Sequence, residues 1–151
     1  MTENKPKREL PSWIDEHTKL YLKDPGKGHL WDSSAVGGPG VLPTLLLYTT
    51  GRKSGQIRPL PLIYGKSGDK HIVIASKGGA PDHPGWYQNL LQEPRCEIQV
   101  AKDRYKVVAR TASGAERETM WQQLVQIYPP YNDYQKATQR QIPVVVLETM
   151  N

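Results

Sequence analysis

The chain has 151 residues, 37% apolar and 23% charged, with a formal net charge of +5, which suits one soluble globular domain tolerant of acidic partners. Its single cysteine, Cys96, excludes an intramolecular disulfide framework and fits a reducing compartment. The longest aliphatic runs, Leu45–Leu47 and Val144–Leu147, are too short to cross a bilayer, no secretory leader is evident, and the expected location is the cytoplasm.

Residues 1–10 read as a flexible N-terminal arm and 11–151 as a single domain. A helix is predicted from Ser12, with Pro11 before it and Asp15 as capping-box partner. Trp13, His17, Leu20 and Tyr21 share one face of that helix, and Asp24–Gly28 ends it. The segment WDSSAVGGPGVLP reads as loop. Thr44–Thr49 is a buried strand, and Leu60, Leu62 and Tyr64 alternate on the next. Pro59 and Pro61, which cannot donate to a ladder, imply an edge position or an irregular start for that second strand. GKSGD is a turn, and His71–Ser76 a third strand. The glycine-rich KGGAPDHP follows, then a short helix Gly85–Gln92 with Pro84 at its first position.

Glu97–Val100 and Tyr105–Ala109 form a hairpin through Lys102 and Asp103. Ser113 and Glu116 make a second capping box, opening a helix that buries Met120, Leu124 and Ile127. Pro129 and Pro130 stop it, Tyr131–Thr138 is a helical turn, and Pro143 leads into Val144–Leu147. Short connections between strands favour antiparallel pairing. The expected class is α+β, mainly β: a small antiparallel barrel with helices packed over its side.

The chemistry concentrates in YTTGRKSGQIRPLPLIY, Tyr48–Tyr64, where Arg52, Lys53 and Arg58 flank a glycine-bounded turn. A P-loop is excluded, because arginine rather than glycine precedes Lys53 and a strand rather than a helix follows. No helix carries a cationic stripe, so no nucleic-acid partner is expected. His17, His29, His71 and His83 lack paired-ligand spacing, so no metal site is expected. Cys96 has no local partner for thiol catalysis. A second loop, IASKGGAPDHPGWYQNL, sets Ser76 and Lys77 at a strand end before two glycines and a helix start, a ready anion seat. With Trp86, Tyr87 and Asn89 beside it, this pattern meets the needs of a flavin-like cofactor. The same residues also read as a plain hairpin turn and a plain loop, and by themselves they leave both open.

Three separated stretches, TTGRKSGQIRPLPL, IVIASKGGAPDHPGWYQNL and YPPYNDYQKATQRQIPVVVLE, together resemble the deazaflavin-dependent nitroreductase family of coenzyme F-420-dependent oxidoreductases. The likeness runs from about Leu42 to Glu148. It implies a split antiparallel β-barrel, related to flavin-mononucleotide-binding oxidases, with flanking helices. It implies coenzyme F-420, a deazaflavin with a phosphate and an oligoglutamate tail, as cofactor. On this resemblance Arg52, Lys53, Ser54, Gly55, Gln56, Ile57 and Arg58 cradle phosphate and tail, and Leu46, Leu47 and Tyr48 end the strand that leads there. Ile74, Ala75, Ser76 and Lys77 line the ring, Gly78 and Gly79 shape the loop, and Gly85, Trp86, Tyr87, Gln88 and Asn89 close over the cofactor.

Tyr128, Tyr131 and Tyr134 are the implied substrate contacts, with Tyr131 also near the cofactor. A phenol is the candidate donor of a hydrogen bond or a proton to the reduced acceptor, Ser76 is a second candidate donor, and packing against the barrel is the alternative for these tyrosines. The implied reaction passes a hydride from the reduced deazaflavin to a quinone, an unsaturated lactone or a nitroaromatic. A flavin-mononucleotide-dependent oxidase of the same barrel and a non-catalytic F-420 carrier are the competing readings. The expected partner is a small-molecule acceptor, and the assembly a monomer or homodimer. The first helix, with Trp13, Leu20 and Tyr21 beside Lys19 and Lys23, is a candidate for peripheral membrane contact, weighed against packing on the barrel.

Overall fold

β-branched and leucine-rich runs build one antiparallel sheet of eight strands in a computed structural model that describes residues 12–150, with only the backbone of 35 and 36. The strand order is β1 (Leu30–Asp32), β2 (Val41–Thr50), β6 (Arg95–Val100), β7 (Asp103–Thr111), β8 (Val144–Thr149), β5 (Lys70–Ile74) and β4 (Gly65–Ser67), with β3 (Ile57–Ile63) also on β2. Every ladder is antiparallel. The sheet curls into a split barrel with five helices at its flanks: α1 (Ser12–Lys23), α2 (Pro25–His29), α3 (Gly85–Gln92), α4 (Gly114–Ile127) and α5 (Pro130–Lys136). The expected arm at residues 1–10 lies outside the described residues.

β5 and β8 are covered on both faces. Ile72, Ile74, Val144 and Val146 face Trp121 and Leu124 of α4 and Tyr131 of α5, while Val73, Ala75, Val145 and Leu147 face Leu45, Leu47, Ile98 and Val107. Two-sided burial is why these strands read as continuous aliphatic runs rather than as alternation. β3 pairs with β2 alone, and Pro59 and Pro61 stand opposite Tyr48 and Leu46. Two residues apart, both prolines turn their missing N–H to the side that needs no ladder bond.

Five local expectations are corrected. GKS, expected as turn, pairs as β4 with β5, because the turn is confined to Gly68, at φ 64, and Asp69. Leu30–Asp32, expected as loop, pairs with β2. Pro84 caps α3 from outside instead of occupying its first position. The capping box does not form: Ser113 makes no side-chain cap bond, and the Glu116 carboxylate, instead of reaching back to the Ser113 amide, is taken by the Arg110 fork at 2.6 and 2.8 Å. The β6–β7 turn closes on Ala101 and Lys102, one residue earlier than expected.

α1 docks on the sheet through Tyr21, which is fully buried. Its hydroxyl donates to the Thr44 carbonyl at 2.9 Å and accepts from the Ala101 amide at 2.8 Å. Gly28 of α2 lies so close to Tyr21 that a Cβ would stand 2.4 Å from the Tyr21 Cα. Trp13 stacks on Trp31 at 5.2 Å between centroids. The face considered for membrane contact is thus divided, with Tyr21 spent on the barrel and Leu20 left exposed. Among the described residues no helix is long and apolar enough to cross a membrane.

Burial holds the His17, His29 and His71 imidazoles below their ordinary pKa. His71 is wedged between Tyr64 and Tyr105 with its buried Nδ1 unpartnered. In the unfolded chain these histidines protonate near pH 6.5, so below that pH the unfolded state binds more protons than the folded one. Stability should be at its plateau above about pH 6.5 and decline as pH falls toward the depressed folded values. Urea denaturation at several pH values should show this slope, and His71→Phe should flatten it. A profile that stays level in the parent chain would contradict the assignment.

Candidate functional site

The β2–β3 hairpin is drawn tight by its own backbone: the Gly51 amide donates to the Gln56 carbonyl, and the Gly55 amide to the Gly51 carbonyl, both at 2.8 Å. Gly55 takes φ 73, a left-handed value that suits glycine. Ser54 Oγ accepts from the Gln56 amide at 3.1 Å, and Arg58 donates to Gln56 Oε1 at 2.7 Å. Residues Arg52 to Arg58 are all exposed.

Arg52 bends toward α3. Its Nη1 donates to Asn89 Oδ1 at 2.9 Å and to the Gly85 carbonyl at 3.3 Å, and its amide donates to the same Asn89 oxygen at 3.1 Å. Asn89 Nδ2 in turn reaches Thr49 Oγ1 at 3.1 Å. Asn89 therefore ties the cationic hairpin to the first turns of α3. Among the described residues all Arg52 acceptors are neutral, so none of them cancels its positive charge.

Between hairpin and helix lies a polar cleft of about 590 Å³, lined by Arg52, Lys77, Asp82, His83, Gly85 and Gln88. Lys77, Gly78 and Gly79 follow one another at φ 46, 63 and 83. Holding a lysine in that region costs on the order of 1–2 kcal/mol and marks a constrained loop. Gly79 has a second reason to be glycine, since a Cβ there would meet the Tyr134 carbonyl oxygen at 2.7 Å. Loop and α5 are thus in backbone contact, which brings the tyrosines to the same end of the barrel.

Tyr128 and Tyr134 share a hydroxyl–hydroxyl hydrogen bond of 2.8 Å, and Tyr131 packs edge-on against Tyr128 at 4.8 Å. Tyr128 and Tyr131 are buried and Tyr134 half-buried, in one cluster with Trp121. Burial pushes the Tyr128 and Tyr131 phenols above their ordinary pKa, and for Tyr128 the bond to Tyr134 adds to this. Both therefore stay protonated and remain donors. Among the described residues the hydroxyls of Tyr131 and Ser76 make no protein hydrogen bond.

Side-chain packing divides the remaining candidates. Leu46, Leu47, Ile74 and Ala75 are buried, so only their main chain can meet a ligand. Trp86, only 9% exposed, and Tyr87 point into the barrel interior, where Tyr87 Oη meets Thr111 Oγ1 at 2.7 Å. An open aromatic wall at Trp86 is therefore not what the packing provides. Tyr48 and Ile57 line a separate groove on the other side, with Arg104 over the Tyr48 ring at 4.3 Å. Cys96 is half-buried, and burial pushes its thiol up to about 12, which leaves it a poor nucleophile.

Asp82 and His83 were missed, although the run PDHP stands within the quoted loop. Arg140, which holds this loop from the far end of the chain, was also missed, and nothing local in TQRQIP distinguishes it. Chemically, the cleft offers fixed cations, exposed backbone at a helix start, and a tyrosine cluster behind one loop. A lining of this kind suits an anionic, flat molecule.

A sequence model described as F420H(2)-dependent quinone reductase matches residues 15–149. An F420H(2)-dependent quinone reductase of Mycobacterium tuberculosis (strain H37Rv) is 43% identical over 150 residues, covering 92% of this chain and 97% of that protein. Among solved structures, an F420-H2 dependent reductase (FDR-A) superposes with a TM-score of 0.65 and 42% identity, over 70% of this chain and 93% of that one. Another, a domain-swapped dimer, superposes with a TM-score of 0.68 and 37% identity, over 91% of this chain and 98% of that one.

Proposed function

The chain belongs to the F420H(2)-dependent quinone reductase family, and from that premise we propose that it is an oxidoreductase that uses coenzyme F-420 to reduce a quinone or a similarly flat, conjugated acceptor. The single observation that carries the reading at the level of residues is the cleft between Arg52, Lys77 and the start of α3. Its donor set suits the coenzyme: two cations that make no ion pair among the described residues, although Asp82 shares the lining, left-handed backbone that lets a ligand approach closely, and a position where Gly79 admits no side chain.

In this reading Arg52, Lys53 and Arg58 hold the phosphate and carboxylate tail, with Ser54, Gly55, Gln56 and Ile57 forming the turn that presents them. The main chain of Ile74 to Lys77 borders the ring, and α3 contributes through Gly85, Gln88 and Asn89 rather than through the inward-facing Trp86. When bound, the reduced deazaflavin supplies a hydride. The chain's own part is to orient the acceptor and to meet the charge that develops on its oxygen. The Tyr131 and Ser76 hydroxyls, free of protein acceptors, are the hydrogen-bond donors for that oxygen. Tyr128 and Tyr134 hold the Tyr131 ring between them and exclude water.

Fluorescence titration should give tighter binding of F-420 than of flavin mononucleotide, and F-420H2 oxidation should accelerate with added quinone. Tighter binding of flavin mononucleotide would favour an oxidase on the same barrel. Tight F-420 binding without turnover across a broad quinone panel would favour a carrier.

A further inference from the structure

Arg140 lies between α5 and β8, yet its guanidinium reaches across to the loop Ala75–His83. Nε donates to the Ala80 carbonyl at 2.8 Å, Nη2 to the Ser76 carbonyl at 2.8 Å, and Nη1 to the Ala75 carbonyl at 3.2 Å. Nη1 also meets His83 Nδ1 at 3.1 Å. One rigid cationic fork therefore takes three carbonyls and an imidazole of the loop that carries the left-handed Lys77.

The geometry has a directional consequence. In a trans peptide the N–H points opposite to the C=O. Turning the Ala75 and Ser76 carbonyls onto Arg140 turns the Ser76 and Lys77 amides away from it. Among the described residues neither amide donates to a protein acceptor, nor does that of Gly78, whereas Gly79 donates to Ser76 and Ala80 to Lys77. Two amides without a protein acceptor beside a ligand cleft are free to donate to a ligand that enters it.

We propose that Arg140 is a positioning residue for the reductase reaction: by gripping the Ala75–Ala80 carbonyls it holds Ser76 and Lys77 in the backbone conformation that presents their amides to the cofactor. This rests on the F-420 reading of the cleft. His83 reports on the grip, because its Nδ1 accepts from Arg140 and must be unprotonated to do so. The charged groups around His83 are Arg140, the cleft cations Arg52 and Lys77, and Asp82. Burial first and the Arg140 cation second hold its imidazole below the ordinary value.

The test uses the full chain with Arg140→Met and Arg140→Lys. Two readouts need no cofactor: amide hydrogen exchange at Gly79 and Ala80, which donate to the Ser76 and Lys77 carbonyls within the loop, and the NMR titration of His83. In Arg140→Met the exchange should accelerate at these amides more than in the sheet, and the His83 pKa should rise. Arg140→Lys, which keeps the charge but not the fork, should restore the His83 titration and only part of the exchange protection. With F-420, Arg140→Met should weaken binding by roughly tenfold to a hundredfold, as expected for losing charged hydrogen bonds, and the lysine variant should recover part of it. Unchanged loop exchange and unchanged F-420 affinity in a folded variant, with only the melting temperature lowered, would overturn the proposal and leave Arg140 a structural residue. Should the methionine variant not fold, the lysine variant carries the same readouts. If the parent chain does not bind F-420, the functional reading fails, while exchange and His83 still decide whether Arg140 sets the loop.

Discussion

Replacing Arg52 and Lys53 together by alanine is expected to weaken F-420 binding by roughly 10²- to 10³-fold at low salt, since each charge-assisted contact is worth about 1.5–3 kcal/mol. Arg52 should account for more of the loss than Lys53. Its Nη1 is anchored on Asn89 and Gly85, which leaves the rest of the fork poised for an anion, whereas Lys53 stands exposed on the turn. Anchoring costs Arg52 little of its charge, because amide and carbonyl oxygens are neutral acceptors. The loss should shrink as salt is raised, since exposed charges are screened over a Debye length of about 8 Å at physiological ionic strength. Asn89→Ala should reproduce part of the Arg52→Ala effect. Arg52 and Asn89 should also couple in a double-mutant cycle, because the contact is direct. Fluorescence titration at two ionic strengths measures all of this. Unaltered affinity of the double variant at low salt would place the anionic tail elsewhere on the protein.

Gly79→Ala should cost stability and activity together, whereas Gly78→Ala, one residue earlier, should cost little. Both glycines are left-handed, at φ 83 and 63, so both substitutions carry roughly 1 kcal/mol of backbone strain. They differ in surroundings. A Cβ at 78 meets nothing within 4 Å, while one at 79 meets the Tyr134 carbonyl oxygen at 2.7 Å, the Tyr134 Cα at 3.0 Å and the Ala137 Cβ at 3.1 Å. The first two are helix backbone and cannot rotate aside, so loop and α5 must separate. Overpacking of this kind adds about 1–3 kcal/mol, for a total near 3 kcal/mol. The displaced α5 carries Tyr131 and Tyr134, so turnover should fall at least about tenfold, in line with the sensitivity of catalysis to small misplacements. Urea denaturation and steady-state assays of the two variants, side by side, check this. Equal stability losses at 78 and 79 would mean that the contact with α5 does not hold the loop.

Much of the fold was legible because its signals are local. α3 was read with the observed bounds, and two prolines alone marked β3 as an edge strand or one with an irregular start, of which the edge is what the pairing shows. The polar GKS strand and the short Leu30–Asp32 strand were not legible, since three residues carry no usable periodicity and pair only because a partner strand is already in place. The capping box at Ser113 failed for a related reason. Local pattern cannot foresee that Arg110, on a neighbouring strand, outcompetes the helix amide for Glu116.

By itself the sequence determined the antiparallel mixed architecture, the cationic hairpin, the glycine loop and, through three spaced stretches, the family. These depend on backbone propensity and residue order, which are written along the chain. Tertiary structure alone decided that Trp86 and Tyr87 turn inward, that Tyr48 and Ile57 border a different groove, and that Arg52 leans on Asn89. It also brought Arg140 onto a loop some 60 residues earlier in the chain. The physical reason is that a side chain's direction is set by competition among neighbours gathered from distant positions. That competition exists only once the sheet has closed around them.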